Sequence, residues 1–184
     1  TPPRSTFEEW DVCNYGNPER TDHPINCIDW SQASAYCDSL GFSLPTEAQW
    51  EHAARGPENS LCPWGDEPRP SCQTSVLSEI DGDGNSCRKE STWPIGSKEM
   101  DTSSFGVRDL NGNVSEWIAD YYYGDYYQES PKRDPKGPSS STLGRRVSRG
   151  GNWDSSGVIS SVRGFRDEEK AAPSIGFRCV KNEM

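Results

Sequence analysis

Two short stretches of this chain hold residues whose types and spacing suit chemistry. In the first, Asp109 precedes the turn Asn111-Gly112-Asn113, and Glu116 follows it. Two carboxylates and the carbonyls of a tight turn are hard oxygens from one compact segment, which is how a calcium cage is assembled. A capped turn uses the same residues, with Asp109 accepting backbone amides and Glu116 holding a nearby donor. On the residues alone both readings stand. The second stretch is the polar middle of residues 146–180, between Gly150-Gly151 with Trp153 and Gly176-Phe177-Arg178-Cys179. It offers Ser155, Ser160, Arg163 and Arg166, and no cysteine or histidine lies between Trp153 and Gly176. A serine nucleophile needs an adjacent base, and this loop supplies none.

Other groupings read as structural. Glu47 and Glu51 stand at i, i+4, but a first-turn Glu47 is favoured by the helix dipole, and Glu51 has Arg55 four residues on. His23 precedes a proline and reads as loop packing. Asp81-Gly82-Asp83-Gly84-Asn85 begins like an EF-hand loop, yet Ser86 replaces the needed glycine and Thr92 stands where a bidentate glutamate belongs. A solvated turn is expected there.

The elements that must position these groups are few. A helix is expected from about residues 29–31 to Leu40, with Ala33, Tyr36, Cys37 and Leu40 on its inner face and Gly41 as its stop. A second helix follows Thr46, whose pairing with Gln49 three residues on is a capping box. Gly56 ends it, and Trp50, Ala53 and Ala54 form its buried face. Residues 105–110 read as a strand entering the Asn111 turn, and both ends of residues 146–180 read as strands around a loop. Tyr121, Tyr122, Tyr123, Tyr126 and Tyr127 suit either a sugar- or protein-binding patch or a cover for the core.

With 184 residues the chain is one domain. Its 31% hydrophobic share, with 17 Gly and 14 Pro, implies short strands and many loops, while 7 Trp, 7 Tyr and 5 Phe supply a core. A net charge of −10 argues against a nucleic-acid or anionic-membrane partner. No run approaches a membrane span. Seven cysteines without a CxxC pair point to disulfides in an extracytoplasmic compartment rather than to zinc. Cys72 and Cys87 bracket the acidic loop, Cys13 and Cys27 flank a turn-rich segment, and an odd count leaves one thiol over. Thr1-Pro2-Pro3 does not read as a native start, so a trimmed chain that has lost its signal is expected.

Taken in order, the motifs resemble the formylglycine-generating enzyme (sulfatase-modifying factor) family. They are Asp29-Trp30 with Ala35-Tyr36-Cys37, Leu44-Pro45-Thr46-Glu47 with Trp50-Glu51, and Ala53-Ala54-Arg55-Gly56. Next come Pro63-Trp64-Gly65, Phe105-Gly106-Val107-Arg108-Asp109-Leu110 and Gly112-Asn113-Val114-Ser115-Glu116-Trp117. The last are Arg149-Gly150-Gly151-Asn152-Trp153 and Gly176-Phe177-Arg178. The resemblance implies an α+β, elaborated C-type-lectin-like fold with little regular structure and two main helices, and a chain lacking the family's N-terminal portion. It implies calcium held by the side chains of Asp109 and Glu116 and the carbonyls of Gly112 and Val114. It also implies a Cys37–Cys179 disulfide, which with Cys72–Cys87 and Cys13–Cys27 leaves Cys62 over. The family's enzymes hold copper(I) on two cysteines just after the Gly-Gly-aromatic motif. Here Ser155 stands at about the first of those places and Ser160 or Ser161 near the second, and a hydroxyl cannot replace a thiolate as a copper(I) ligand.

The expectation is therefore a calcium-containing binding module without copper, possessing a protein or glycan ligand and belonging to a larger polypeptide or complex. Its recognition loop is residues 154–174, with Trp153, Asp154, Ser155, Ser156, Ser160, Arg163, Phe165 and Arg166 as contact residues. In relatives that are variable proteins of diversity-generating retroelements, this segment is the diversified one. The alternative is an oxidoreductase of the same family with altered active-site chemistry.

Overall fold

The computed structural model describes residues 12–78, 87 and 91–181; the acidic loop at residues 81–85 lies outside them. Helix α1 (Trp30–Ser39) starts at Asp29, which accepts the Gln32 amide while the Gln32 side chain accepts the Asp29 amide. Helix α2 (Glu47–Arg55) starts at Thr46 with the expected Gln49 capping box and stops at Gly56. Four strands follow, β1 (Ser115–Tyr121), β2 (Arg145–Arg149), β3 (Gly164–Asp167) and β4 (Ile175–Gly176), with a one-turn helix α3 (Tyr126–Glu129) between β1 and β2. They form one sheet in the order β3-β2-β1-β4, in which β1 and β4 are parallel and the other pairs antiparallel.

The alternation of side chains along β1 sorts the core into two halves. Trp117 and Ala119 face one way, onto Ile28, Ala33, Cys37, Leu44 and Ile175. Ile118 faces the other, onto Trp50, Ala54, Leu110 and Val147. The sheet is thus covered by α1 on one face and α2 on the other. Glu116 and Asp120 share the Ile118 side, and each meets α2: the Trp50 indole donates to Glu116 at 2.7 Å and the Glu47 amide to Asp120 at 3.1 Å.

Disulfides join Cys13–Cys27, Cys37–Cys179 and Cys72–Cys87. Cys62 is buried and unpaired, and burial pushes its thiol up to about 11, which keeps it protonated and unreactive.

Three expectations need correction. Tyr36 and Leu40 do not point inward; they are 56% and 52% exposed. Helix α1 meets the sheet through Ala33 and Cys37, so its buried stripe is narrower than four positions, and Tyr36 packs edge-on against Phe177 instead. Residues 105–110 form no strand. Gly106 and Asp109 take positive φ (77° and 54°), which interrupts an extended run, and Gly106 donates to the Ser103 carbonyl in a turn. The middle of residues 146–180 is not all loop, because residues 164–167 pair with β2.

Candidate functional site

The turn at residues 109–116 is built by close approach of three backbones. Gly112 donates to the Gly150 carbonyl at 2.7 Å and Asn113 to the Val76 carbonyl at 2.8 Å. Gly112 has φ +99°, and a Cβ there would sit 2.4 Å from the Val76 oxygen, so only glycine fits. Glu116 at the end of the turn is 4% exposed. Its Oε2 accepts from Trp50 and from Arg178 Nε at 2.6 Å, and its Oε1 from Arg178 Nη2 at 2.5 Å. The same Nη2 donates to the carbonyls of Arg108 and Asp109, each at 3.0 Å. Arg178, quoted above only as part of a motif, is therefore the brace of this turn, and the Trp50 side chain is its second support.

Several oxygens of this turn keep free lone pairs of the hard kind calcium takes. Asp109 Oδ2 accepts the Gly96 amide at 2.7 Å, while no described residue donates to Oδ1. The carbonyls of Gly112 and Val114 accept no hydrogen bond from a described residue, although both residues are buried. Glu116 Oε1 accepts one bond and keeps a lone pair. Burial raises the Asp109 carboxyl above its usual range, a cost that a bound cation would offset. Beside them, both amide atoms of the fully buried Asn111 and the Oδ1 of Asp101 have no hydrogen-bond partner among the described residues.

The loop leaves this turn through Gly150-Gly151, and the structure disperses its expected contact residues. Trp153 is half-buried, its indole bonded to the Pro173 carbonyl at 3.4 Å. Ser155 Oγ accepts the Asn152 amide at 3.1 Å, and its carbonyl accepts the Ser78 amide; Asp154 and Ser156 beside it are exposed. Ser160 is fully buried, its amide bonded to the Leu61 carbonyl, so it is not a surface contact. Arg163 is drawn away from solvent by Glu47, with Nε at 2.7 Å and Nη2 at 2.9 Å from the two carboxylate oxygens. Phe165 is 46% exposed at the sheet edge, stacked on Tyr122 at 4.5 Å. Arg166 is half-buried and makes no ion pair with a described residue. The loop therefore presents two separate faces, one at Asp154 to Ser156 and one at Phe165 and Arg166. The tyrosines divide likewise: Tyr122 packs against the core, while Tyr123 and Tyr127 are exposed.

Beneath the loop, Arg149 holds it down. Its side chain has no exposure and lies 3.4 Å from Glu47 and against Glu51. It also donates to the carbonyls of Ser160, Ser161 and Val162. The first-turn reading of Glu47 is thus incomplete, because the residue is 3% exposed and is a counter-ion to two loop-bound arginines. The expected Glu51–Arg55 pair forms at 2.6 Å. His23 bonds Thr92 at 2.8 Å among loops.

Asp120 completes this face at 3% exposure. Burial is the main cause that lifts its carboxyl to about 6, with the Glu47 charge adding and the Glu47 amide opposing. An acid raised in the folded state stabilises the fold while protonated, fully below pH ~4, and that contribution is lost as pH rises through its folded value. Asp120→Asn keeps an acceptor for the Glu47 amide and removes the titration. The variant is expected to gain up to about 3 kcal/mol over the parent at pH 7 and nothing at pH 4. Urea denaturation at both pH values reads this, and an equal gap at the two would reject it.

The profile of the sulfatase-modifying factor enzyme 1-like domain matches residues 5–183. The formylglycine-generating enzyme of Streptomyces coelicolor is 34% identical over an alignment of 179 positions that covers 89% of this chain and 54% of that protein. Among solved structures, PvdO from Pseudomonas aeruginosa is similar with TM-score 0.71 at 24% identity, over 85% of this chain and 60% of that one. Treponema denticola variable protein 1 is similar with TM-score 0.65 at 20% identity, over 96% of this chain and 76% of that one. The two structural likenesses concern the fold, which is of the expected α+β, C-type-lectin-like kind. The chain spans about half the length of the curated relatives it matches.

Proposed function

The chain belongs to the sulfatase-modifying factor enzyme 1-like family, and from that premise we propose that it is a calcium-stabilised binding module. Its ligand, a protein or a glycan, meets the exposed parts of the 154–174 loop. The observation that carries this reading is the state of the two serines that stand where the resemblance places copper thiolates. Ser155 is tied into a turn by the Asn152 amide, and Ser160 is sealed beneath the loop. Neither supplies a soft ligand, while Asp154, Ser156 and Phe165 remain open to solvent.

Asp109, Glu116 and the carbonyls of Gly112 and Val114 would hold the calcium, whose charge would offset the buried Asp109 carboxylate and fix the turn that Gly150 joins to the loop. Arg178 and Trp50 orient Glu116 for that purpose. The disulfides suit an oxidising compartment, and no described helix is long and apolar enough to cross a membrane.

Native mass spectrometry with calcium, and separately with copper(I) under reducing protection, tests the proposal. One equivalent of calcium and no specific copper are expected. With free ion at one hundred times its dissociation constant, the fold should gain about 2.7 kcal/mol, or about 5–10 °C in a chain of this size. Asp109→Ala should remove both the ion and the gain. Stoichiometric copper uptake would return the oxidoreductase reading to first place, and calcium indifference in both mass and melting temperature would remove the ion from the proposal.

A further inference from the structure

Strand β3 is an edge strand of the sheet, and its register bears on what the loop binds. In an antiparallel pair, residues alternate between those bonded to the neighbouring strand and those turned away from it. The register here pairs Arg145 with Asp167, Arg146 with Arg166, Val147 with Phe165 and Ser148 with Gly164. The Glu168 amide donates to the Gly144 carbonyl at 2.8 Å, which continues the same ladder and sets its phase. Gly164, Arg166 and Glu168 are then the inward-bonded positions. Phe165 and Asp167 turn their amides and carbonyls outward, at the edge of the sheet. The Asp167 carbonyl accepts the Lys170 amide. The Phe165 N–H and C=O and the Asp167 N–H meet no described residue, which makes three open hydrogen-bonding groups along one edge.

Side chains of both signs flank this edge: Asp167 pairs with Arg145 at 3.4 Å, Glu168 with Arg146 at 2.9 Å, and Glu169 is exposed. Phe165 lies on the α2 face, with its ring on Tyr122 and the Arg145 guanidinium over it at 4.6 Å. Arg166 lies on the α1 face opposite Arg146. Arg146 is satisfied by Glu168 at 2.9 Å and stacks on Trp30 and Tyr121 at 3.6 and 3.4 Å. Arg166 has no such partner among the described residues, so in a chain of net charge −10 this edge carries a cation that no described acid pairs. Beside it Gly164 leaves its face without a side chain.

We infer that β3 is a docking edge for an extended peptide segment of a partner protein, which adds as a strand antiparallel to it. This rests on the binding-module reading and commits the loop to a peptide. An apolar residue of the peptide pairs with Phe165. The residue before it falls opposite Arg166 and is acidic. The residue after it falls opposite Gly164, whose side-chain position is filled by the Ser148 hydroxyl, and carries no size requirement. Main-chain bonds to Phe165 and Asp167 supply the affinity, and the acidic-then-apolar order supplies the specificity.

The probe is a fluorescein-labelled, acetylated and amidated nine-residue peptide centred on glutamate–valine–threonine, with a lysine–valine–threonine control. Anisotropy should show saturable binding of the first that is at least tenfold tighter than the second. Arg166→Glu should invert that order. Phe165→Pro removes the ring together with an outward N–H that edge strands can lose and should weaken binding at least tenfold; Phe165→Thr removes the ring but keeps the N–H and should weaken it less, so the difference between the two reads the main-chain bond. Hydrogen exchange should find the Phe165 and Asp167 amides fast in the free chain and slowed by the peptide. Protection of those amides in the free chain, absence of saturable binding, or binding indifferent to Arg166→Glu and Phe165→Pro overturns the docking edge. If Asp154 and Ser156 variants instead abolish recognition of a ligand that ignores the edge variants, the loop reading stands and this inference alone falls.

Discussion

Arg149→Met is expected to lower folding stability by about 3–5 kcal/mol, the usual cost of breaking a buried ion pair from one side. The arginine has no side-chain exposure. Methionine matches much of its volume, so the loss is one of charge and hydrogen bonds rather than packing. Two things are left behind. Glu47, 4% exposed along its side chain, keeps only Arg163, and the carbonyls of Ser160, Ser161 and Val162 lose their donor. Each buried acceptor left without a partner costs about 1–3 kcal/mol, although these do not add. Urea denaturation gives the total, and hydrogen exchange should place the loosening at residues 160–163. Arg149→Lys keeps the charge but not the fork that reaches several acceptors, and should fall between. Adding Glu51→Gln to Arg149→Met should recover part of the loss, because it removes a carboxylate that has lost one of its two cations. A loss below about 1 kcal/mol for Arg149→Met would mean that Glu47 and Glu51 are satisfied without it, and the arginine would no longer account for the position of the loop.

Much of the scaffold was legible because it is written locally. Both capping boxes lie within four consecutive residues, from Asp29 to Gln32 and from Thr46 to Gln49. A helix start is decided by such neighbours. The misreadings occurred where distant partners decide. Nothing in Arg163-Gly164-Phe165-Arg166-Asp167 alternates in hydrophobicity, yet the segment is a strand because β2 offers it a ladder. Phe105, Val107 and Leu110 do suggest a strand, but the positive φ of Gly106 and Asp109 folds the segment back on itself. Tyr36 and Leu40 have helix-face spacing; what spacing does not contain is the depth to which α1 sinks on the sheet, here set at Ala33 and Cys37.

The same distinction holds at the candidate site. The Asp109–Glu116 oxygens sit in one segment and could be named from it. Arg178 reaches Glu116 across 62 positions, and Arg163 reaches Glu47 across 116. No periodicity marks such pairs. Arg163, expected among the contact residues, has its guanidinium engaged by Glu47. The hint that was present is the company these residues keep: Trp50-Glu51, Arg149-Gly150-Gly151 and Gly176-Phe177-Arg178 all occur among the motifs of the resemblance, and all three supply supports for one turn and one loop.

Replacing both Cys37 and Cys179 by alanine is expected to cost about 5 kcal/mol, the largest effect among the disulfides. The argument is one of unfolded-chain entropy. This bond closes a loop of sequence separation 142, whereas Cys13–Cys27 and Cys72–Cys87 close separations of 14 and 15. By the chain-entropy relation the short loops are worth about 3 kcal/mol each. Removing both cysteines of the pair avoids leaving a reactive thiol. There is a local consequence as well. Cys179 follows Arg178 directly, so the bond to α1 also steadies the guanidinium that holds Glu116. Urea denaturation of the Cys37→Ala/Cys179→Ala and Cys13→Ala/Cys27→Ala variants compares the two loop lengths in one scaffold. If the long loop costs no more than the short one, unfolded-state entropy is not what this disulfide supplies. Calcium titration of the same variant then separates the two roles: weakened calcium uptake with stability otherwise near the parent's would assign the bond to the Arg178 brace, and unchanged uptake with a loss of about 5 kcal/mol would assign it to the chain as a whole.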